Sequence, residues 1–142
     1  MVLPRVLAGR RAMIPADLDA PHSWTYVGDV AGTLVAAAAD ERAWGRAWHV
    51  PSAPPASVRE VAGRFATLAG APAPRLSRMP AGALWLAGVV DPTVRELRET
   101  TYQFDRPFVL DATATSTTLG VQPTPLDTAL AETVAALRQP AG

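Results

Sequence analysis

The 142-residue chain contains no lysine, so all thirteen of its basic residues are arginine. This excludes every mechanism that needs a primary side-chain amine: a Schiff base, the phosphate-cradling lysine of a P-loop, or a tyrosine–lysine proton-transfer pair. Cysteine is absent too, which removes disulfides, thiolate metal sites and a cysteine nucleophile and leaves the redox compartment open. Thirteen carboxylates balance the arginines to a net charge of zero. No overall field gathers nucleic acid or an anionic membrane, and neither is expected as a partner. Long apolar runs are also missing. The most apolar stretch, "AGALWLAGVV" from Ala81 to Val90, is about half the roughly 20 residues that a bilayer-spanning helix needs, and it reads as a buried helix. The segment Met1 to Arg11 has its basic residues after the apolar ones. It has no continuous apolar core of the signal-peptide kind, so a cytoplasmic location is expected.

What is present suits one domain, long enough to bury roughly 68 to 70% of its unfolded surface. Val2, Leu3, Val6 and Leu7 recur at helical spacing, with Pro4 in the first turn and Gly9 near the end, and predict a helix to about Arg10. "AMI" at 12–14 and "SWTYV" at 23–27 are strand candidates. From Asp29 to about Ala39 a helix is predicted, with Val30, Leu34, Val35 and Ala38 as its apolar stripe and Asp29 favouring its N-terminus. A turn at 40–45 precedes a short strand candidate, "RAWHV" at 46–50, and a proline-rich loop. Ser57 and Glu60 form the S-x-x-E capping-box pattern of a further helix with Val58, Val61, Phe65 and Leu68 on its apolar face and Gly70 as its stop. Beyond it the sequence predicts a strand at 75–77, helices at 81–90 and 92–99, and an extended "YQFDRPFVLD". A short helix capped by Asp111 and ended by Gly120 follows, then a last helix opened by Thr124-Pro125 with Leu126, Leu130, Val134 and Leu137 on one side. The fold class is α+β: a small helix-rich domain over residues 1–139 with a few short strands, and a disordered tail at 140–142. The strands are too few and too far apart for a free-standing sheet.

Catalytic patterns are sparse. His22 and His49 lack ligand-spaced partners, so no metal site is expected. No G-x-S-x-G elbow supports a serine nucleophile. Gly28 and Gly32 have neither the spacing nor the preceding strand of a dinucleotide-binding turn. The tryptophans 24, 44, 48 and 85 fit core anchors better than a pocket lining, Trp24 least so.

Three stretches nevertheless share a pattern in order. "HSWTYVGDVAGTLVAAA", "GRAWHVPSAPPASVREVAGRFATLAG" and "FVLDATATSTTLGVQPTPLDTALAETVAAL" together resemble the C-terminal, substrate-binding portion of the extended short-chain dehydrogenase/reductases, the NAD-dependent epimerase/dehydratase family. The resemblance spans essentially residues 1–140. The family's Rossmann half, with its glycine turn for NAD or NADP and its Tyr-x-x-x-Lys catalytic pair, has no counterpart here.

The resemblance therefore implies a substrate-binding-type fragment with no catalytic residues, metal or cofactor of its own. It would act as an accessory or split-enzyme subunit on a small carbonyl or hydroxyl compound, with substrate-binding residues His22, Trp24, Tyr102 and Arg106. His22 stands where nucleotide-sugar enzymes of the family often carry an arginine, which argues against a nucleotide-sugar ligand. Implied partners are a Rossmann-half chain or a second copy, because "RAWHV" and the first helix would otherwise lack neighbours. The alternatives are an independent lysine-free enzyme of secondary metabolism using His22 and Tyr102, and a truncated reading frame with no independent role.

Overall fold

The capping box at Ser57 forms as its spacing predicts. In this computed structural model the Glu60 backbone N–H donates to Ser57 Oγ at 3.2 Å, and the Ser57 N–H donates back to Glu60 Oε2 at 2.7 Å. That reciprocal pair satisfies two of the donors left over at any helix start, and the Ser57 backbone N–H, with its side chain, holds the Glu60 carboxyl below its ordinary range. The structure describes residues 2–80 and 102–139, together with 82, 83, 85 and 89. The helix predicted at 92–99 and the tail at 140–142 lie outside the described residues. Of the helix predicted at 81–90, the described residues are helical but exposed, Trp85 and Val89 among them.

Among the described residues the chain forms six α-helices and two short strands, a small α+β arrangement. These are α1 (Leu3–Leu7), β1 (Ala12–Ile14), α2 (Val27–Ala39), α3 (Val58–Ala69), β2 (Leu76–Arg78), α4 (Tyr102–Asp105), α5 (Thr113–Leu119) and α6 (Leu126–Arg138), with a 3-10 turn at Glu41–Ala43. β1 and β2 pair in parallel, Ala12 opposite Leu76 and Ile14 opposite Arg78. Gly70 and Gly120 end α3 and α5 in the left-handed region, at φ 60° and 70°, where a side chain is strained and glycine is not. Asp111, one residue ahead of Ala112 at the N-cap position of α5, accepts from the Thr113 N–H at 2.9 Å, and bonds from the Thr113 side chain and backbone lower its pKa.

The main core lies where α1, α3 and α6 meet. Val6, Val61, Ala62, Phe65, Ala66, Ala69, Leu130 and Val134 are buried there, and Val2, Leu3, Leu7 and Leu126 pack against them. The first helix thus finds its partners within the chain, not in absent structure. The face of α3 is rotated from the predicted one: Leu68 is exposed, and Ala62, Ala66 and Ala69 are buried instead. Small side chains there allow α6 to approach closely. On α6, Leu130 and Val134 are buried as expected, while Leu137 is exposed.

Four further expectations fail. On α2, Leu34 and Val35 face solvent, while Asp29 and Thr33 are the buried residues. Residues 23–27 are not a strand, because only His22 is bridged, antiparallel to Ala56 and parallel to Phe108, and α2 begins already at Val27. Residues 46–50 form no ladder with the described residues. "YQFDRPFVLD" opens with the helical turn α4 before reaching the Phe108 bridge.

Candidate functional site

The segment Trp24–Thr25–Tyr26 leaves the His22 bridge and runs into α2, and beside it opens a cleft of about 480 Å³. Its walls come from five places: Val2 and Leu3 at α1, Ile14 to Ala16 after β1, Val58, Val61 and Ala62 of α3, Phe104 of α4, and Leu126, Ala129, Leu130 and Thr133 of α6. No charged side chain is among the described lining residues. The lining is aliphatic and aromatic with a few hydroxyls, the composition expected of a small-molecule site. Trp24 and Phe104 are both exposed, which places two aromatic faces at the open side.

Why the segment takes this course is visible at Gly28. A Cβ there would overlap the Tyr26 ring, so the missing side chain lets the ring lie back over the first turn of α2. From that position the Tyr26 hydroxyl donates to Glu132 on α6. That bond is the main cause of a pKa raised above the ordinary tyrosine value, with partial desolvation and the charges of Glu132 and Asp29 adding to it. One turn on, the buried Asp29 carboxylate accepts from the Thr124 N–H at 2.9 Å and from its hydroxyl at 2.6 Å. The Val-Gly-Asp run thus fastens the start of α2 to both ends of the first turns of α6. Asp29 lies in the first turn of its own helix, as the dipole favours, but no side chain caps α2.

Of the four residues predicted for substrate binding, Trp24 lines the cleft, with its indole N–H donating to Ala56 O at 2.8 Å. His22, two residues before it, is not among the lining residues: Nδ1 lies 2.9 Å from Ala20 O and Nε2 lies 3.1 Å from Gln103 O. Its ring clamps two backbone segments. Arg106 is exposed and is not among the lining residues. Tyr102 belongs to α4, and its side chain lies outside what the structure describes. Tyr26, Thr25, Thr124 and Thr133, which do line the cleft, lie within two of the stretches that carry the resemblance, but no spacing marks them as one site, since bonds from the start of α2 to Thr124 and to Glu132 of α6 bring the two stretches together.

His49 is held elsewhere, its Nδ1 3.0 Å from Asp111 O, and its own carbonyl accepts from Thr115 Oγ1 at 2.6 Å. Among the described residues no group of three or more His, Asp or Glu side chains converges as metal ligands. A dinucleotide-binding turn joins a strand to a helix, whereas Gly28 and Gly32 both lie inside α2. No described helix is long and apolar enough to cross a membrane. Neither protein-family models nor curated proteins give a match to the chain.

Proposed function

We propose that the chain is a cytoplasmic ligand-binding subunit without catalysis of its own, which takes a small, largely apolar carbonyl or hydroxyl compound into the cleft beside Trp24. The observation that carries this reading is the cleft itself: about 480 Å³, walled by aliphatic side chains and two exposed aromatic rings, with no charged side chain among the described lining residues. The size is within the range of small-molecule pockets. The resemblance to the C-terminal portion of the extended short-chain dehydrogenase/reductases supports it, since that portion carries substrate contacts and not the chemistry. The solvent-facing Val27, Leu34 and Val35 of α2 support an accessory or split-enzyme role, in which a Rossmann-half chain or a second copy covers apolar surface.

Calorimetric titration of the full chain tests the reading. Neutral bicyclic alcohols and ketones are expected to bind, and UDP-sugars, TDP-sugars, NAD and NADP are not. Binding of the nucleotides in the low micromolar range, with none of the neutral compounds, overturns it.

A further inference from the structure

The hydroxyls and the indole N–H on the cleft wall nearly all share one property. All but Thr25 give their hydrogen to the protein. Tyr26 donates to Glu132, Thr124 to Asp29 Oδ1 at 2.6 Å, Thr133 to Ala129 O at 2.8 Å, and the Trp24 indole to Ala56 O at 2.8 Å. Thr25 Oγ1 is 2.9 Å from Ser52 Oγ, a pair in which either hydroxyl can be the donor. What the other hydroxyls hold out to a guest is lone pairs. A hydroxyl has one hydrogen and two acceptor sites, so once the hydrogen is spent on a carboxylate or carbonyl only acceptance remains.

The amino end of α6, which would otherwise attract an anion, is already matched by carboxylates. Asp29 holds Thr124 just before the helix, and Asp127 sits in its first turn, paired with Arg64 at 3.2 Å. A carboxylate or phosphate guest would meet negative charge there and no free positive side chain on the described wall.

We infer that the cleft selects guests that donate a hydrogen bond: a neutral, mostly apolar alcohol or phenol in preference to the matching ketone. This rests on the cleft being a ligand site and narrows its ligand class. Among the described lining residues a ketone entering the cleft loses water from its carbonyl and finds at most the Thr25 hydroxyl as a side-chain donor, whereas an alcohol replaces a water bond with one to Tyr26, Thr25, Thr124 or Thr133. The difference of about one net hydrogen bond corresponds to roughly a two- to tenfold ratio in affinity.

The matched set 2-tetralol, 2-tetralone and tetralin tests this, titrated into the full chain by calorimetry with tryptophan fluorescence as a second readout. The expected order is alcohol, then ketone and hydrocarbon, with the alcohol several-fold tighter than the ketone. Single variants Thr25→Val, Tyr26→Phe, Thr124→Val and Thr133→Val, each checked by its melt, are expected to include at least one that narrows the alcohol-to-ketone ratio while leaving ketone binding unchanged. Ketone binding as tight as or tighter than alcohol binding overturns the inference and leaves the ligand-site reading standing. A ratio unchanged in every folded variant also overturns it. Absence of binding by all three compounds at millimolar concentration sinks both.

Discussion

Two helices of nearly equal length are held in opposite ways. α3 is fixed by apolar burial: Phe65 is 0% exposed, and its neighbours Val61, Ala62 and Ala66 are buried with it against α1 and α6. α2 turns Leu34 and Val35 outward, 66% and 71% exposed, and is anchored through polar bonds, Tyr26 to Glu132 before it and Asp29 to Thr124 within its first turn. The contrast shows that an apolar pattern says how much of a helix is suited to burial, while the side that is buried depends on what the neighbouring chain supplies. Among the described residues α3 has a partner for its stripe, and α2 has one for the side that carries Asp29 and Thr33.

The largest expected effect tests the α3 half of this contrast. Phe65→Ala empties the centre of the core and is expected to cost about 3 to 5 kcal/mol of unfolding free energy, whereas Leu34→Ala is expected to stay within about 0.5 kcal/mol. Urea denaturation of both variants reads the two values, and equal losses would break the comparison by showing that α2 is buried in solution. Next in size is Asp29→Ala. It leaves the Thr124 N–H and hydroxyl without their acceptor, for an expected loss of about 1 to 3 kcal/mol in the same assay. A loss no greater than that of Leu34→Ala would show that α2 is not held by this anchor.

The smallest effect concerns pH. Because the bond to Glu132 raises Tyr26 above its ordinary 10.0, the folded chain holds the phenol proton more tightly than the unfolded chain does. That contribution is complete below the unfolded value and is lost as pH rises through the raised one. Gly28→Ala displaces the Tyr26 ring and breaks the bond. Since alanine also favours the helix by about 0.8 to 1 kcal/mol over glycine, stability at neutral pH is expected to change by less than about 1 kcal/mol. The variant should lose less stability than the parent as pH rises above about 10. Parallel alkaline profiles for the two proteins would separate Tyr26 from the anchoring of α2.

The local signals were legible in sequence because they are chemical and short-range. Ser57 with Glu60, Asp111 before α5, and Gly70 and Gly120 at helix ends act within a turn of where they stand. The rotation of α3 was hidden because alanine counts little in an apolar pattern, yet Ala62, Ala66 and Ala69 are where α6 comes closest. In α2 nearly every position is apolar or small, so periodicity could not choose a face. Trp24 does line the cleft, but the expectation that the other tryptophans anchor the core fails at Trp44 and Trp85, which are 62% and 53% exposed against 36% for Trp24. The rest of the cleft was not legible, since Tyr26 and Glu132 are 106 residues apart and no spacing rule joins residues across such a distance.

The three-residue ladder between β1 and β2 sets an order of assembly. A parallel pair this short cannot hold itself together, and closing it brings together segments separated by all of α2 and α3. But α1 directly precedes β1, α3 directly precedes β2, and these two helices pack on each other. Docking of the helices brings the strands into reach, so the ladder forms after the main barrier is passed. Changes at Ala12–Ile14 or Leu76–Arg78 would then act on how fast the chain comes apart and barely on how fast it folds.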